Sequence, residues 1–175
     1  MTIKEYSVKR AELEDWYWTK RMQEELSKDK EASQYVYGSE EQVRGFFINC
    51  QTNPQGMAIL LLFEKTTFVH DTLGGTVPHG DYPVGIMNVM IHTSPIPSQV
   101  GIGLFNTVFI HSVYIKPGVD YMAGKLFYQA AKDWGKDRGA KAIFGNIRPD
   151  GNLKGFERKY GLKPRHVVMM ADIEE

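Results

Sequence analysis

The sequence predicts an α/β (α+β) chain in which strands and helices alternate around one core, and three observations predict it. Residues 106–116 run through Val108, Phe109, Ile110, Val113, Tyr114 and Ile115 without a breaker, the mark of a strand buried in a sheet. After Pro117 and Gly118 the spacing changes: Val119, Met122, Leu126, Ala130 and Trp134 recur at three and four, with Phe127 and Ala131 beside them, which predicts a helix with one apolar face. Gly139 ends that helix and residues 142–147 follow as a short strand, so the unit is β-α-β with a right-handed crossover. Strand, tight turn and helix N-terminus together make an anion site, because unpaired backbone N–H groups and the helix dipole converge there.

The other elements follow in chain order. Residues 3–8 form a first strand, and residues 11–28, rich in Glu, Lys, Leu and Met, form a helix. Its Trp16, Tyr17 and Trp18 are adjacent and cannot all face one core, so at least one is expected to be exposed. Residues 28–31 read as a solvated turn. Ser39 with Glu40 and Glu41 is the signature of a helix start, and Asn53 to Gly56 ends that helix. Residues 57–64 and 84–91 are apolar strands. Between them, residues 66–83 are rich in Gly and Pro and are expected to be a long functional loop, as are residues 93–103 before the next strand. Past Ile147, Asp150 or Asn152 caps a short helix through Tyr160, and residues 165–173 make a last strand. The order is thus β-α-α-β-β-β-α-β-α-β.

Composition narrows the function. A chain of 175 residues with 42% hydrophobic content fills one core, so a single domain over residues 1–175 is expected. Twenty-one basic residues balance twenty-one acidic ones, which gives no general pull toward nucleic acid or an acidic membrane. The single cysteine, Cys50, excludes an internal disulfide and a Cys-based metal cage and suits a reducing compartment, so a cytoplasmic location is expected. The start lacks a basic segment followed by an apolar core, and the longest apolar run, residues 57–63, is of strand length. His70, Asp71, His79 and Asp81 carry no helical or hairpin ligand spacing, so no metal site is expected. Gly101 and Gly103 lack the third glycine and following helix of a dinucleotide fingerprint. Ser112 lacks the Gly-x-Ser-x-Gly setting of a hydrolase nucleophile.

Several stretches carry a resemblance: Val113 to Pro117, Ala123 to Phe127, Ala130 to Trp134, Arg138 to Lys141, and Phe156 to Leu162. With the element order they resemble the fourth strand, pyrophosphate turn, third helix and late helix end of the GNAT superfamily of N-acetyltransferases, and the likeness covers nearly the whole chain. It implies a mixed, largely antiparallel sheet flanked by helices, an acetyl-CoA co-substrate, and a small-molecule or protein amine as acceptor. It also implies that the backbone of Val113, Tyr114 and Ile115 pairs with the pantetheine arm, and that Val119, Asp120, Tyr121, Met122, Ala123 and Gly124, with Lys125, meet the pyrophosphate. Of the family's Gln/Arg-x-x-Gly-x-Gly/Ala turn only Gly124 matches, and Asp120 opposes a diphosphate by like charge.

The family's usual tyrosine, which protonates the leaving thiolate, falls here on Glu157, with Tyr160 almost a full turn on, along the same helix face. His111, on the fourth strand, is the imidazole placed to act as base, and Asn146 could orient the substrate or a water. Each also has a plainer reading: His111 as a core or interface histidine, Asn146 as a satisfied buried amide. A second class stays open as well, a divergent and phage-type scaffold that has lost catalysis and binds or supports a partner. A homodimer is expected from family habit and the exposed aromatics.

Overall fold

The computed structural model describes residues 2–28, 39–69, 76–98 and 101–145. Five strands form one sheet in the order β1-β2-β3-β4-β5: β1 (Thr2–Arg10), β2 (Met57–Val69), β3 (Thr76–Ser98), β4 (Gly101–Ile115) and β5 (Ala142–Gly145). The first four are mutually antiparallel and β5 runs parallel to β4, so the fold is α+β with a mostly antiparallel sheet. The parallel step is the expected β-α-β crossover through α3 (Tyr121–Lys136).

Helices α1 (Trp16–Lys28, entered by a 3-10 turn at Leu13–Asp15) and α2 (Glu40–Thr52) cover one sheet face. There Met22, Leu26, Phe47 and Cys50 pack on Ile59, Leu61, Phe63 and Ile86. Helix α3 covers the other face, where Ala123, Phe127, Ala131 and Trp134 meet Leu60, Leu62, Met87, Val89 and Val108. The odd residues 59, 61 and 63 go one way and the even residues 58, 60 and 62 the other, as the two-residue period of a strand requires. Cys50 lies inside the α1/α2 core, and burial pushes its thiol up to about 12.

Punctuation falls where the residues demand it. Gly118 (φ 83°) and Gly139 (φ 71°) take the left-handed conformation that ends β4 and α3. Arg138 closes the same helix end: its Nη1 donates to Trp134 O at 2.8 Å, its Nε and Nη2 donate to Pro54 O, and its guanidinium lies 4.5 Å from the Trp134 ring centroid. Of the aromatic trio, Tyr17 is exposed while Trp16 and Trp18 pack on the α1/α2 core.

Three expectations need correction. The two supposed long loops are mostly strand. β2 extends to Val69 and β3 begins at Thr76, so residues 66–69 and 76–83 are paired ribbon. Residues 93–98 likewise pair with residues 101–106 across β3 and β4. The β2/β3 ladder carries register shifts at Leu62/Phe63 and Lys65/Thr67, which interrupt the regular pairing on the way to Pro78. The apolar face of α3 is also rotated from the one predicted. Met122 (51%) and Leu126 (40%) are exposed; Phe127, Ala131 and Trp134 are buried as expected, and Ala123, Gly124 and Gly135 face inward with them. Small residues there let the backbone approach the sheet, a signal that hydrophobic periodicity ignores. Finally, α3 begins at Tyr121, so Val119 and Asp120 precede the helix. The late helix through Tyr160 and the strand at 165–173 lie outside the described residues.

Candidate active site

The site begins with an irregularity in β4. Asn88 of β3 pairs with Ser112 and Val89 with Ile110, which leaves His111 as the extra residue of a β-bulge. Parallel pairing of β4 with β5 runs from Thr107↔Ala142 to Ile110↔Gly145, and Gly145 is the last described residue. Beyond the bulge, residues 111–115 keep β3 on one side and have no strand on the other among the described residues.

Hydrogen-bond alternation says which groups this open edge presents. Lys116 N–H donates to Val84 O at 2.8 Å, so in the continuing antiparallel ladder Tyr114 and Ser112 direct their backbone groups toward β3. Val113 and Ile115 therefore turn their N–H and C=O groups to the open side. Tyr114 instead packs its partly buried ring against the α1/α2 core.

The edge leads through Pro117 and Gly118 to the start of α3. There Asp120 is the N-cap: its Oδ1 accepts from Met122 N–H at 2.7 Å and its carbonyl accepts from Ala123 N–H at 3.0 Å. Asp120 N–H in turn donates to the Tyr6 hydroxyl at 3.4 Å. The Tyr6 hydroxyl donates to Glu64 at 3.0 Å, and Glu64 also accepts from Lys4 and Thr66. Partial burial pushes the Glu64 carboxyl up, but the hydrogen bonds from Lys4, Tyr6 and Thr66 outweigh it and hold the group below the usual range. Several of the α3 N-terminal donors are thus satisfied by the chain itself. Lys125 lies over the Tyr121 ring, 5.2 Å from its centroid.

Around the bulge the α1/α2 face of the sheet is lined by aromatics. The His111 ring is exposed and stands edge-on to Phe109 at 6.2 Å; Phe109 meets Phe144 at 5.0 Å, and Phe144 meets His92 at 6.3 Å. A buried polar chain crosses beside them. Gln23 Nε2 of α1 donates to Asn88 Oδ1 at 3.2 Å, and Asn88 Nδ2 donates to Ser112 Oγ at 2.7 Å. Gln23 and Asn88 are each 3% exposed, while Gln23 Oε1 and Thr19 Oγ1 have no hydrogen-bond partner among the described residues. A buried amide oxygen left unpaired costs about 1–3 kcal/mol.

Of the residues singled out by sequence, His111, Val113 and Ile115 come together at the bulge and edge, and Val119 to Lys125 at the α3 start. Asn146, Glu157 and Tyr160 lie outside the described residues. Sequence reasoning missed Gln23 and Asn88, whose only signal is a polar residue within an otherwise apolar run, and it passed over Ser112 for want of a hydrolase motif. Among the described residues no group of three or more His, Cys, Asp or Glu could hold a metal ion. No described helix is long and apolar enough to cross a membrane.

No protein-family model matches the chain, and no curated protein matches it by sequence. Solved structures do. Glucosamine-6-phosphate N-acetyltransferase from Arabidopsis thaliana aligns over 97% of this chain and 99% of its own, at TM-score 0.62 and 14% identity. Aminoglycoside N-acetyltransferase AAC(6')-Iy, solved with a bisubstrate analogue joining CoA to an acetylneamine, aligns over 97% and 99% at TM-score 0.64 and 11% identity. An acetyltransferase from Trypanosoma brucei aligns over 97% and 100% at TM-score 0.59 and 15% identity. An antiparallel sheet closed by a parallel β-α-β step, as these solved structures share with the described residues of this chain, is the GNAT fold.

Proposed function

We propose that the protein is a divergent GNAT member, a single domain that transfers an acetyl group from acetyl-CoA to a primary amine. The observation that carries this reading is the β4 edge beside the bulge, which pairs with no other strand among the described residues, in a fold shared with acetyltransferases. The N–H and C=O groups of Val113 and Ile115 suit an extended amide-bearing arm, which adds to a strand edge as another strand would. The α3 N-terminus fits a diphosphate less well, because Asp120 brings a carboxylate to the place where the anion would lie. The strand edge, rather than the turn, then supplies most of the hold.

Acetyl-CoA supplies the activated acyl group. His111, exposed at the bulge, takes a proton from the amine directly or through a water, so that the amine lone pair attacks the acyl carbon. The carbon–sulfur bond breaks and Tyr160 or Glu157 delivers a proton to the departing thiolate; Asn146 orients the acceptor. Holding amine and thioester together contributes much of the rate by replacing a bimolecular encounter. The aromatic lining from His92 to His111 supports an acceptor with an apolar or ring-bearing body. A reducing cytoplasmic setting and a homodimer accord with the single buried cysteine and exposed aromatics. Release of the CoA thiol from acetyl-CoA, followed across a panel of primary amines, tests the activity. Rates indistinguishable from the uncatalysed reaction for every amine would refute it.

The Asp120 cap favours a second reading, the same scaffold without catalysis, serving as a binding or structural protein. Under it, capture of a partner survives substitution of His111 to Ala, and no acetyl transfer is seen before or after.

A further inference from the structure

We infer that Ser112 is a catalytic hydrogen-bond donor to the acyl oxygen of the thioester, aimed by Gln23 and Asn88 as positioning residues; this rests on the acetyltransferase reading above. Three features of the structure lead there.

The first is position. Ser112 lies between the bulged His111 and Val113, whose N–H is the first backbone donor facing the open edge. A hydroxyl one peptide away from that N–H completes a two-donor cradle, the arrangement that stabilises negative charge developing on a carbonyl oxygen under attack.

The second is direction. Asn88 stands opposite Ser112 on β3, so its Nδ2 approaches Oγ from the side away from the open edge. With one lone pair of Oγ taken at 2.7 Å, the hydroxyl hydrogen is the donor left over, and Ser112 has no acceptor for it among the described residues. The side turned away from Asn88 is the side of the edge.

The third is alignment. Gln23 donates to Asn88 and Asn88 donates to Ser112, so the two amide dipoles run head to tail toward the hydroxyl and polarise it as a donor. Both amides are buried and held by α1 and β3, and Gln23 Oε1 has no hydrogen-bond partner among the described residues. A chain required only for packing would be replaceable by apolar side chains; a chain required to aim a hydroxyl would not.

The test uses purified full-length protein and acetyl-CoA, with CoA thiol release measured in the presence of glucosamine, of tyramine, and of water alone. Ser112→Ala is expected to lower kcat on the order of 100-fold, the usual effect of removing one such donor, while KM and Kd for acetyl-CoA change less than about twofold. Ser112→Thr, which keeps a hydroxyl, recovers most of the rate. Asn88→Asp offers only acceptors, draws the Ser112 hydrogen back toward β3 and lowers kcat comparably. The double variant S112A/N88D is no slower than S112A alone, since both changes remove the same hydrogen bond. Wild-type kcat in Ser112→Ala, or losses that multiply in the double variant, would overturn the inference while leaving the acetyltransferase reading intact. If the wild-type protein neither binds acetyl-CoA nor releases its thiol, that reading fails and the inference with it.

Discussion

Asp120 shows how one side chain serves the fold at the expense of the ligand. As N-cap it satisfies Met122 N–H at 2.7 Å, which stabilises α3, and the same carboxylate repels an anion from the helix N-terminus. Asparagine caps as well as aspartate but carries no charge. Asp120→Asn is therefore expected to leave the unfolding midpoint nearly unchanged and to tighten CoA binding by about twofold to fivefold, more at low salt. Calorimetric titration at two ionic strengths checks it, and unchanged or weaker binding would show that no diphosphate lies near residue 120. Glu64 gives a pH signature at the same corner. Its folded pKa is depressed below 4.5 by the bonds from Lys4, Tyr6 and Thr66, so its contribution to stability is present above that pH and lost as the pH falls through the folded value. Urea unfolding of the wild type and Glu64→Gln from pH 7 to pH 3 is expected to show a difference at neutral pH that shrinks as the pH falls. A difference that grows on acidification would contradict the assignment.

At the scale of elements, the errors of the sequence reading are as informative as its successes. Runs such as residues 57–64 and 106–116 are legible because a strand buried between two helix layers is apolar on both faces. The ribbon extensions of β2, β3 and β4 are not legible. Their Gly, Pro and Thr look like loop in a sequence, although the backbone pairs as strand. The phase of α3 was misjudged for a related reason. Periodicity weighs Met122 and Leu126 heavily and Gly124 and Gly135 not at all, yet the glycines face the sheet. A Cβ at residue 135 would collide with Val108 Cγ2. Gly135→Ala is thus expected to destabilise by about 1–3 kcal/mol, as overpacking does. Gly45 of α2 meets nothing within 4 Å, so Gly45→Ala should stabilise by up to about 1 kcal/mol through helix propensity. Equilibrium urea unfolding of the two variants gives opposite signs if α3 is seated as described. Two destabilising changes would mean that α2 is crowded at residue 45.

For the whole molecule, element order was enough to point to the fold, because β-α-α-β-β-β-α-β permits few arrangements once the crossover hand is fixed. The site was only half legible. His111 and the β4 edge follow from their place in that order, whereas the chain from Gln23 through Asn88 to Ser112 joins residues 65 and 24 positions apart, a distance at which a single sequence gives no pairing signal. The same holds for Tyr6 and Asp120, 114 positions apart at the start of α3.

In the proposed complex the side of β4 beyond the bulge, which meets no other strand among the described residues, receives an acyl-CoA arm. Amide hydrogen exchange with and without acetyl-CoA, read residue by residue, tests it most directly. The expected result is slowed exchange at Val113 and Ile115, whose N–H groups face the open edge, with little change at Tyr114, which is already bonded toward β3. Absence of protection at Val113 and Ile115 with acetyl-CoA at millimolar concentration would contradict the claim.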